Sequence, residues 1–296
     1  MAWFTPLLIK KFLFYGSHLA IPCMAWLVWR RRRRPWSACF LLIPGLLFIW
    51  MRFVEPQWIR VRETTLAGTG IQADVVLIGD LHLGVYKDTA FLERVVTRIN
   101  QLPADRVLIA GDFTYEPEEQ SLYRMLKPLD RLEKPAYAVL GNHDQQAPGP
   151  DIDRPLRAAL GQLGVRIVEQ DVADAGRWRI AGLGDHWGGN DDPEFLARIP
   201  DQGPVLLLAH NPDSVMRVRP RDAVLALAGH THCGQIRLPW LYRKVIPSDH
   251  GFDCGLETAR TPHGDIRVFI TPGLGEIGLP MRFLNPPTID WLHLRP

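Results

Sequence analysis

Residues 224–235 read Val-Leu-Ala-Leu-Ala-Gly-His-Thr-His-Cys-Gly-Gln, and this stretch decides the fold. Five apolar residues without alternation fit a strand covered on both faces. The run stops at a glycine, and two histidines follow at once. The same grammar recurs upstream. Residues 75–78 lead into Gly79-Asp80-Leu81-His82, residues 106–110 into Gly111-Asp112, and residues 136–140 into Gly141-Asn142-His143-Asp144. Residues 205–209 lead into His210-Asn211. Between the first two runs, Asp88 can cap a helix whose Phe91, Leu92, Val95, Val96, Ile99 and Leu102 share one stripe. A second stripe, Leu122, Met125, Leu126, Leu129 and Leu132, is bent or interrupted by Pro128. Further β-like runs lie at 165–168, 178–181, 266–271 and 288–294. The pattern predicts a layered α/β domain, in which loops at the C-terminal ends of strands converge on one crevice.

Five loops thus deliver Asp80, His82, Asp112, Asn142, His143, His210, His230 and His232 to one place. Asp-x-His alone carries no weight, and a lone Gly-Asp after a strand is usually a turn. Gly-Asn-His-Asp and Gly-His-Thr-His are each expected by chance on the order of once per thousand chains of this length. Their joint occurrence at strand ends points to chemistry. Carboxylates, imidazoles and an amide oxygen, with no thiolate required, suit two borderline divalent ions, Mn²⁺ first among Mn²⁺, Fe²⁺ and Zn²⁺. The imidazoles disfavour Ca²⁺ and Mg²⁺. Two such ions about 3.5–4 Å apart activate a shared water and clamp both oxygens of an in-line phosphoryl displacement.

These blocks, in this order, resemble the calcineurin-like metallophosphoesterases over residues 73–296. The resemblance implies a four-layered α/β/β/α sandwich hydrolysing phosphodiesters by attack of a metal-activated hydroxide. It implies that Asp80, His82 and His232 hold one metal, that Asn142, His210 and His230 hold the other, and that Asp112 bridges them. His143 would donate to the phosphate or leaving-group oxygen rather than bind metal. The run Gly229 to Gln235, the stretch Gly273-Leu274-Gly275 to Arg282, and Val54-Glu55-Pro56 resemble the membrane-linked subgroup. That subgroup includes UDP-2,3-diacylglucosamine hydrolases.

Two positions depart from the family pattern. Tyr115 stands where a second acid often orients the catalytic histidine, leaving Glu116, Asp144 or nothing for that task. Cys233 stands where glycine is usual. It reads as a small space-filling residue, with oxidation beside His232 or a bridge to Cys254 as alternatives; four cysteines are too few for a disulfide framework. Arg282 is equally a phosphate partner or a surface arginine. His186 reads as a loop histidine before a substrate contact. His250, His263 and His293 read as structural.

The charge is split along the chain. Residues 1–62 carry ten Lys/Arg against the single acid Glu55, and the rest carries 24 bases against 31 acids. The mildly acidic body offers no general nucleic-acid surface. In the basic head, residues 12–29 and 36–51 are uncharged, the second run reaching 54 if Arg52 snorkels, with Arg30 to Arg34 between them. Eighteen residues at about 1.5 Å each approach a bilayer core of about 30 Å. The expectation is a membrane anchor and linker over 1–72, with spans at 12–29 and 36–54, ahead of the catalytic domain 73–296. A cleaved signal peptide fits less well, because residues 51–55 hold no small-residue cleavage site. Arg30 to Arg34 prefer the cytoplasmic side, which places the body outside a bacterial inner membrane. Lys10 and Lys11 argue for the reverse.

The leading expectation is therefore a membrane-anchored dimetal phosphodiesterase acting on a lipid-linked or membrane-proximal phosphoester. UDP-2,3-diacylglucosamine pyrophosphohydrolysis is the alternative, and it requires the body to face the cytoplasm. A non-catalytic binding module is the distant third, because no ligand is missing from the set.

Overall fold

A computed structural model describes residues 6–33, 35–117, 121–145, 151–200 and 203–296. Its strands in chain order begin with β1 Arg60–Leu66, β2 Ala73–Ile78, β3 Leu83–Gly84, β4 Arg106–Ala110, β5 Thr114–Tyr115, β6 Ala136–Val139 and β7 Val165–Ile167. They continue with β8 Val172–Asp174, β9 Arg179–Gly182, β10 Val205–Leu208, β11 Leu225–Ala228, β12 Gly255–Thr261, β13 Gly264–Ile270 and β14 Thr288–Leu294. Two six-stranded sheets result, ordered β1-β14-β2-β4-β6-β7 and β12-β13-β11-β10-β9-β8. β2, β4, β6 and β7 run parallel, as do β9, β10, β11 and β13. The five runs read from the sequence thus occupy the centres of the two sheets.

Their unbroken hydrophobicity has a direct cause. Val75 and Leu77 pack between the sheets against Ile180, Leu206 and Leu227. Val76 and Ile78, on the opposite face of the same strand, pack under Phe91, Leu92, Val95 and Ile99. Those four residues lie on α4 of the helices α1 Pro6–Gly16, α2 Ala20–Arg30, α3 Pro35–Ile49 and α4 Thr89–Asn100. Asp88 caps α4 by accepting the Phe91 amide at 2.9 Å. Pro128 ends the next helix, Leu122–Leu126, in a 3₁₀ turn over Lys127–Arg131. The outer face of the second sheet is covered by 3₁₀ turns, Pro193–Arg198 and Pro212–Arg217, whose Leu196 and Val215 meet Leu207, Ala226 and Val268. The sandwich has its four layers, with turns in place of long helices in the last.

The stretch expected to be a polar linker contributes structure. β1 pairs in parallel with β14 along its whole length. Its alternating polar residues are those of an edge strand, which is why the run lacks the hydrophobic signature of the central strands.

The basic head forms a helical hairpin. α1 continues through a 3₁₀ turn, Ser17–Leu19, into α2, and α3 continues as one π turn over Trp50–Val54. Leu7–Arg30 and Phe40–Gln57 are each long and apolar enough to cross a membrane. Arg34 of the arginine run lies outside the described residues. The two helices touch at Gly45, where a Cβ would overlap the Met24 sulfur.

Leu77 is fully buried between the sheets. Leu77→Ala should lower the unfolding free energy by about 2–5 kcal/mol, the cost of an unfilled core cavity. Denaturant unfolding of the detergent-solubilised chain measures it; an unchanged midpoint would contradict a tightly packed inter-sheet core.

Candidate metal centre

The loops after β2, β4, β6, β10 and β11 meet at one end of the sandwich. Their backbones are unusual. Asp80, His82, Asp112, His230 and His232 all have positive φ, between 45° and 67°. Non-glycine residues in this region cost on the order of 1–3 kcal/mol each, and such strain gathers where function fixes a side chain. Glycines clear the space between the loops. A Cβ on Gly141 would lie 2.2 Å from Asp112 Oδ1, and one on Gly273, itself at φ +70°, would lie 2.6 Å from Asp80 Cβ.

Two clusters form. The ligand atoms of Asp80, His82 and His232 lie within 4.8 Å of one another, as do those of Asp112, His210 and His230. Asp112 joins the two clusters: its Oδ2 is 3.4 Å from His82 Nε2 and 3.3 Å from His210 Nε2. Asn142 Oδ1 lies 3.0 Å from His210 Nε2. All seven side chains are buried. His82 Nε2 faces His232 Nε2 at 3.0 Å, and His230 Nδ1 faces His210 Nε2 at 3.1 Å. Buried imidazole nitrogens that converge in pairs are the arrangement a cation requires. His230 Nε2, His232 Nδ1 and Asn142 Nδ2 have no hydrogen-bond partner among the described residues. Carboxylate, imidazole and amide donors without thiolate fit two divalent ions.

Contacts behind the ligands aim them. Ala110 carbonyl lies 2.8 Å from His210 Nδ1, which turns Nε2 inward. Thr114 carbonyl does the same for His82 at 3.3 Å. The His230 amide donates to Asp80 at 3.0 Å, and the His143 amide donates to Asp112 Oδ1 at 2.9 Å. Such contacts fix tautomer and orientation. The electrostatics show a site short of positive charge. Burial pushes the Asp80 carboxyl up to about 7, helped by Asp112. Burial also lowers His82 and His230 to about 3, leaving neutral imidazoles with lone pairs to offer. Burial opposes charging His210, yet the neighbouring Asp112 carboxylate outweighs it and pushes the imidazole up to about 10, the sign of a carboxylate that favours a cation beside it.

The family model for calcineurin-like phosphoesterase matches residues 73–234. The chain belongs to this family. This phosphoesterase is 31% identical over 82% of its chain, and 88% of the relative, to "Uncharacterized metallophosphoesterase YkuE" of Bacillus subtilis. It is 29% identical to "Phosphodiesterase YaeI" of Escherichia coli, over 78% of the chain and 86% of the relative. It is 26% identical to "UDP-2,3-diacylglucosamine pyrophosphatase LpxG" of Chlamydia trachomatis, over 84% of the chain and 93% of the relative. The family, the relatives and the two ligand groups make it a metal-dependent phosphoester hydrolase.

His143 lines a cavity of about 370 Å³ in front of the clusters. Neither acid considered for orienting its ring does so. Asp144 is occupied by the Phe113, Thr114 and Gly141 amides and by the Thr114 hydroxyl, so it braces the loop. Glu116 pairs with Lys10 of α1. Tyr115 instead sets its ring 5.5 Å from that of His143. Arg282 is neither a phosphate partner nor a surface residue. It is fully buried, donating to the carbonyls of Pro272, Gly275 and Asn285, and it holds the glycine-rich loop closed. Cys233 does not merely fill space: it is disulfide-bonded to Cys254, which ties the histidine loop to the start of β12. His186 pairs with Asp191 at 2.7 Å, while its neighbour Trp187 packs against the His230 ring at 4.6 Å and lines the cavity.

Sequence reasoning also missed a link to the hairpin. Glu55 accepts the Asn285 amide at 2.5 Å, and the Asn285 side chain donates to the His232 carbonyl at 2.7 Å. No spacing rule reveals a pair 230 residues apart.

Asp112→Asn removes the charge between the two clusters. Its metal content, measured by mass spectrometry on purified full-length chain, should fall from two equivalents per chain towards none. Two retained ions would contradict a bridging position.

Proposed function

We propose that the chain is a membrane-anchored dimetal phosphodiesterase acting on a lipid-linked or membrane-proximal phosphoester. The observation that carries this reading is Asp112 Oδ2 lying between His82 and His210, the position of a shared ligand. Asp80, His82 and His232 would hold one ion, and Asn142, His210 and His230 the other, with Asp112 common to both. Mn²⁺ is the proposed native metal, from the balance of imidazole and oxygen donors. When bound, such a pair supplies Lewis acidity and an activated water.

The protein's part is positioning and proton supply. Strained loops hold the ligands rigid, and Trp187, Ile236 and Leu279 line the cavity beside them and keep it apolar. His143 faces that cavity with both ring nitrogens free of hydrogen bonds among the described residues. Burial lowers its pKa despite the opposing pull of Asp112, so the ring is neutral near pH 7 and carries one N–H. That N–H is placed to donate to a phosphate or leaving-group oxygen. His143→Ala should keep both ions and lose about 10²–10⁴-fold in kcat on a phosphodiester such as bis(p-nitrophenyl) phosphate. Unchanged kcat would remove His143 from the chemistry.

We place the catalytic domain outside the cytoplasmic membrane. The arginine run at the hairpin tip favours the cytoplasmic side. The Cys233–Cys254 disulfide supports the same orientation, because such bonds persist in oxidising compartments. UDP-2,3-diacylglucosamine hydrolysis is the second reading, favoured by the chlamydial relative and requiring the opposite orientation. A topology reporter fused after Pro296 separates the two: external activity supports the exported phosphodiesterase, and cytoplasmic activity moves the nucleotide-lipid reaction to first place.

A further inference from the structure

The length of the hairpin constrains where the catalytic domain sits. α1 packs on the domain rather than projecting from it: Phe14 stacks on Tyr86 at 5.5 Å, and Lys10 pairs with Glu116 and lies 4.4 Å from the centre of the Tyr115 ring. Arg52 at the hairpin base donates to Ser17 Oγ at 2.8 Å and to the Phe14 carbonyl at 3.1 Å. From Ser17 to Arg30 only fourteen residues project, about 21 Å at 1.5 Å per residue, against a hydrocarbon core of about 30 Å. If the arginines reach the far headgroups, about six residues below Ser17 must also lie in the core. Those residues fit. Phe12 is 72% exposed and Tyr15 is 65% exposed, with Leu13 also on the surface. The domain face that α1 covers therefore meets the bilayer.

Residues 236–247 are fastened to that same face. Arg282 N donates to the Met51 carbonyl at the base of the hairpin, at 2.9 Å, and its neighbour Phe283 exchanges backbone bonds with Gln235 and Arg237. Gln235 further donates to the carbonyls of Ile277, Leu279 and Met281. From this knot the chain runs Ile-Arg-Leu-Pro-Trp-Leu-Tyr-Arg-Lys-Val-Ile-Pro, which holds three bases and no acid. Trp240 is 90% exposed and Val245 is 70% exposed, with Leu241, Arg243 and Lys244 exposed beside them. Asp253 takes up Arg237 at 3.0 Å and lies 3.7 Å from the exposed Arg243, so Arg243 and Lys244 supply the outward charge. Exposed tryptophan and aliphatic side chains flanked by these two cations match the headgroup layer of an anionic bilayer. Ile236, Val245 and Pro247 of this segment also line the catalytic cavity.

We infer that residues 236–247 form a second membrane contact, seated in the anionic headgroup layer of the leaflet nearest the domain. There the segment sets the rim of the catalytic cavity against the bilayer surface. The partner is the lipid surface itself. The inference rests on the proposed membrane insertion of the hairpin.

The test uses the full chain in phosphatidylglycerol-containing nanodiscs, with Cys23→Ser and Cys39→Ser and the disulfide intact. A nitroxide is placed singly by Trp240→Cys, by Leu46→Cys in the hairpin, and by His263→Cys on the exposed turn after β12. Collision with oxygen and with a water-soluble nickel chelate reports depth. The inference expects position 240 to be several-fold less accessible to the chelate than position 263, and less so in pure phosphatidylcholine or with Arg243→Glu and Lys244→Glu. A lipid-exposed position 46 with position 240 as water-exposed as 263 overturns the second contact and leaves the anchor intact. Water exposure at both 46 and 240 overturns the anchor and the contact together. Equal depth in both lipids overturns the assignment of an anionic surface.

Discussion

Asp112 faces two ways. One oxygen accepts the His143 amide, and the other stands between His82 and His210 at the buried floor of the cavity. Around it the fold crowds a second carboxylate and five more polar side chains, with no buried lysine or arginine in either ligand cluster. Buried charge of this kind is tolerated only when it is paired or coordinates a metal. The strained loops, the glycines that clear them and the carbonyls that aim each imidazole all follow from that requirement. A cation pair is the partner this donor set accepts.

The site is braced from outside the catalytic sandwich. Glu55, at the foot of the hairpin, accepts from Trp50 Nε1 at 2.7 Å as well as from Asn285, and Asn285 holds the His232 loop. Arg282 closes the intervening glycine-rich loop from within. Buried Lys87 joins the same junction through Glu276, at 3.1 Å, and the Pro56 carbonyl. The base of the hairpin is thus part of the scaffold of the metal centre and more than a tether. These contacts hold the His232 loop and the glycine-rich loop in fixed positions relative to the hairpin base.

Much of this was legible in the sequence because central strands buried on both faces are unmistakable and because each ended in a ligand-bearing loop. Val75 to Ile78 alternate between two cores, so every residue had to be apolar. The edge strand β1 was not legible, since one flank and one face meet solvent and its residues read as a polar linker. The 3₁₀ covering turns lack the length that makes a helical period visible. The role of Arg282 is not legible, because an arginine that satisfies backbone carbonyls looks the same in sequence as one that meets phosphate. The disulfide is not decided by sequence, since Cys233 and Cys254 are close only through the path of the intervening chain.

The central claim is that one carboxylate, Asp112, is shared by two metal ions. Electron paramagnetic resonance of the Mn²⁺-loaded full-length chain tests it most directly. A carboxylate-bridged pair predicts an exchange-coupled signal that grows as the second equivalent binds. The hyperfine pattern of isolated Mn²⁺ at full loading would contradict the account.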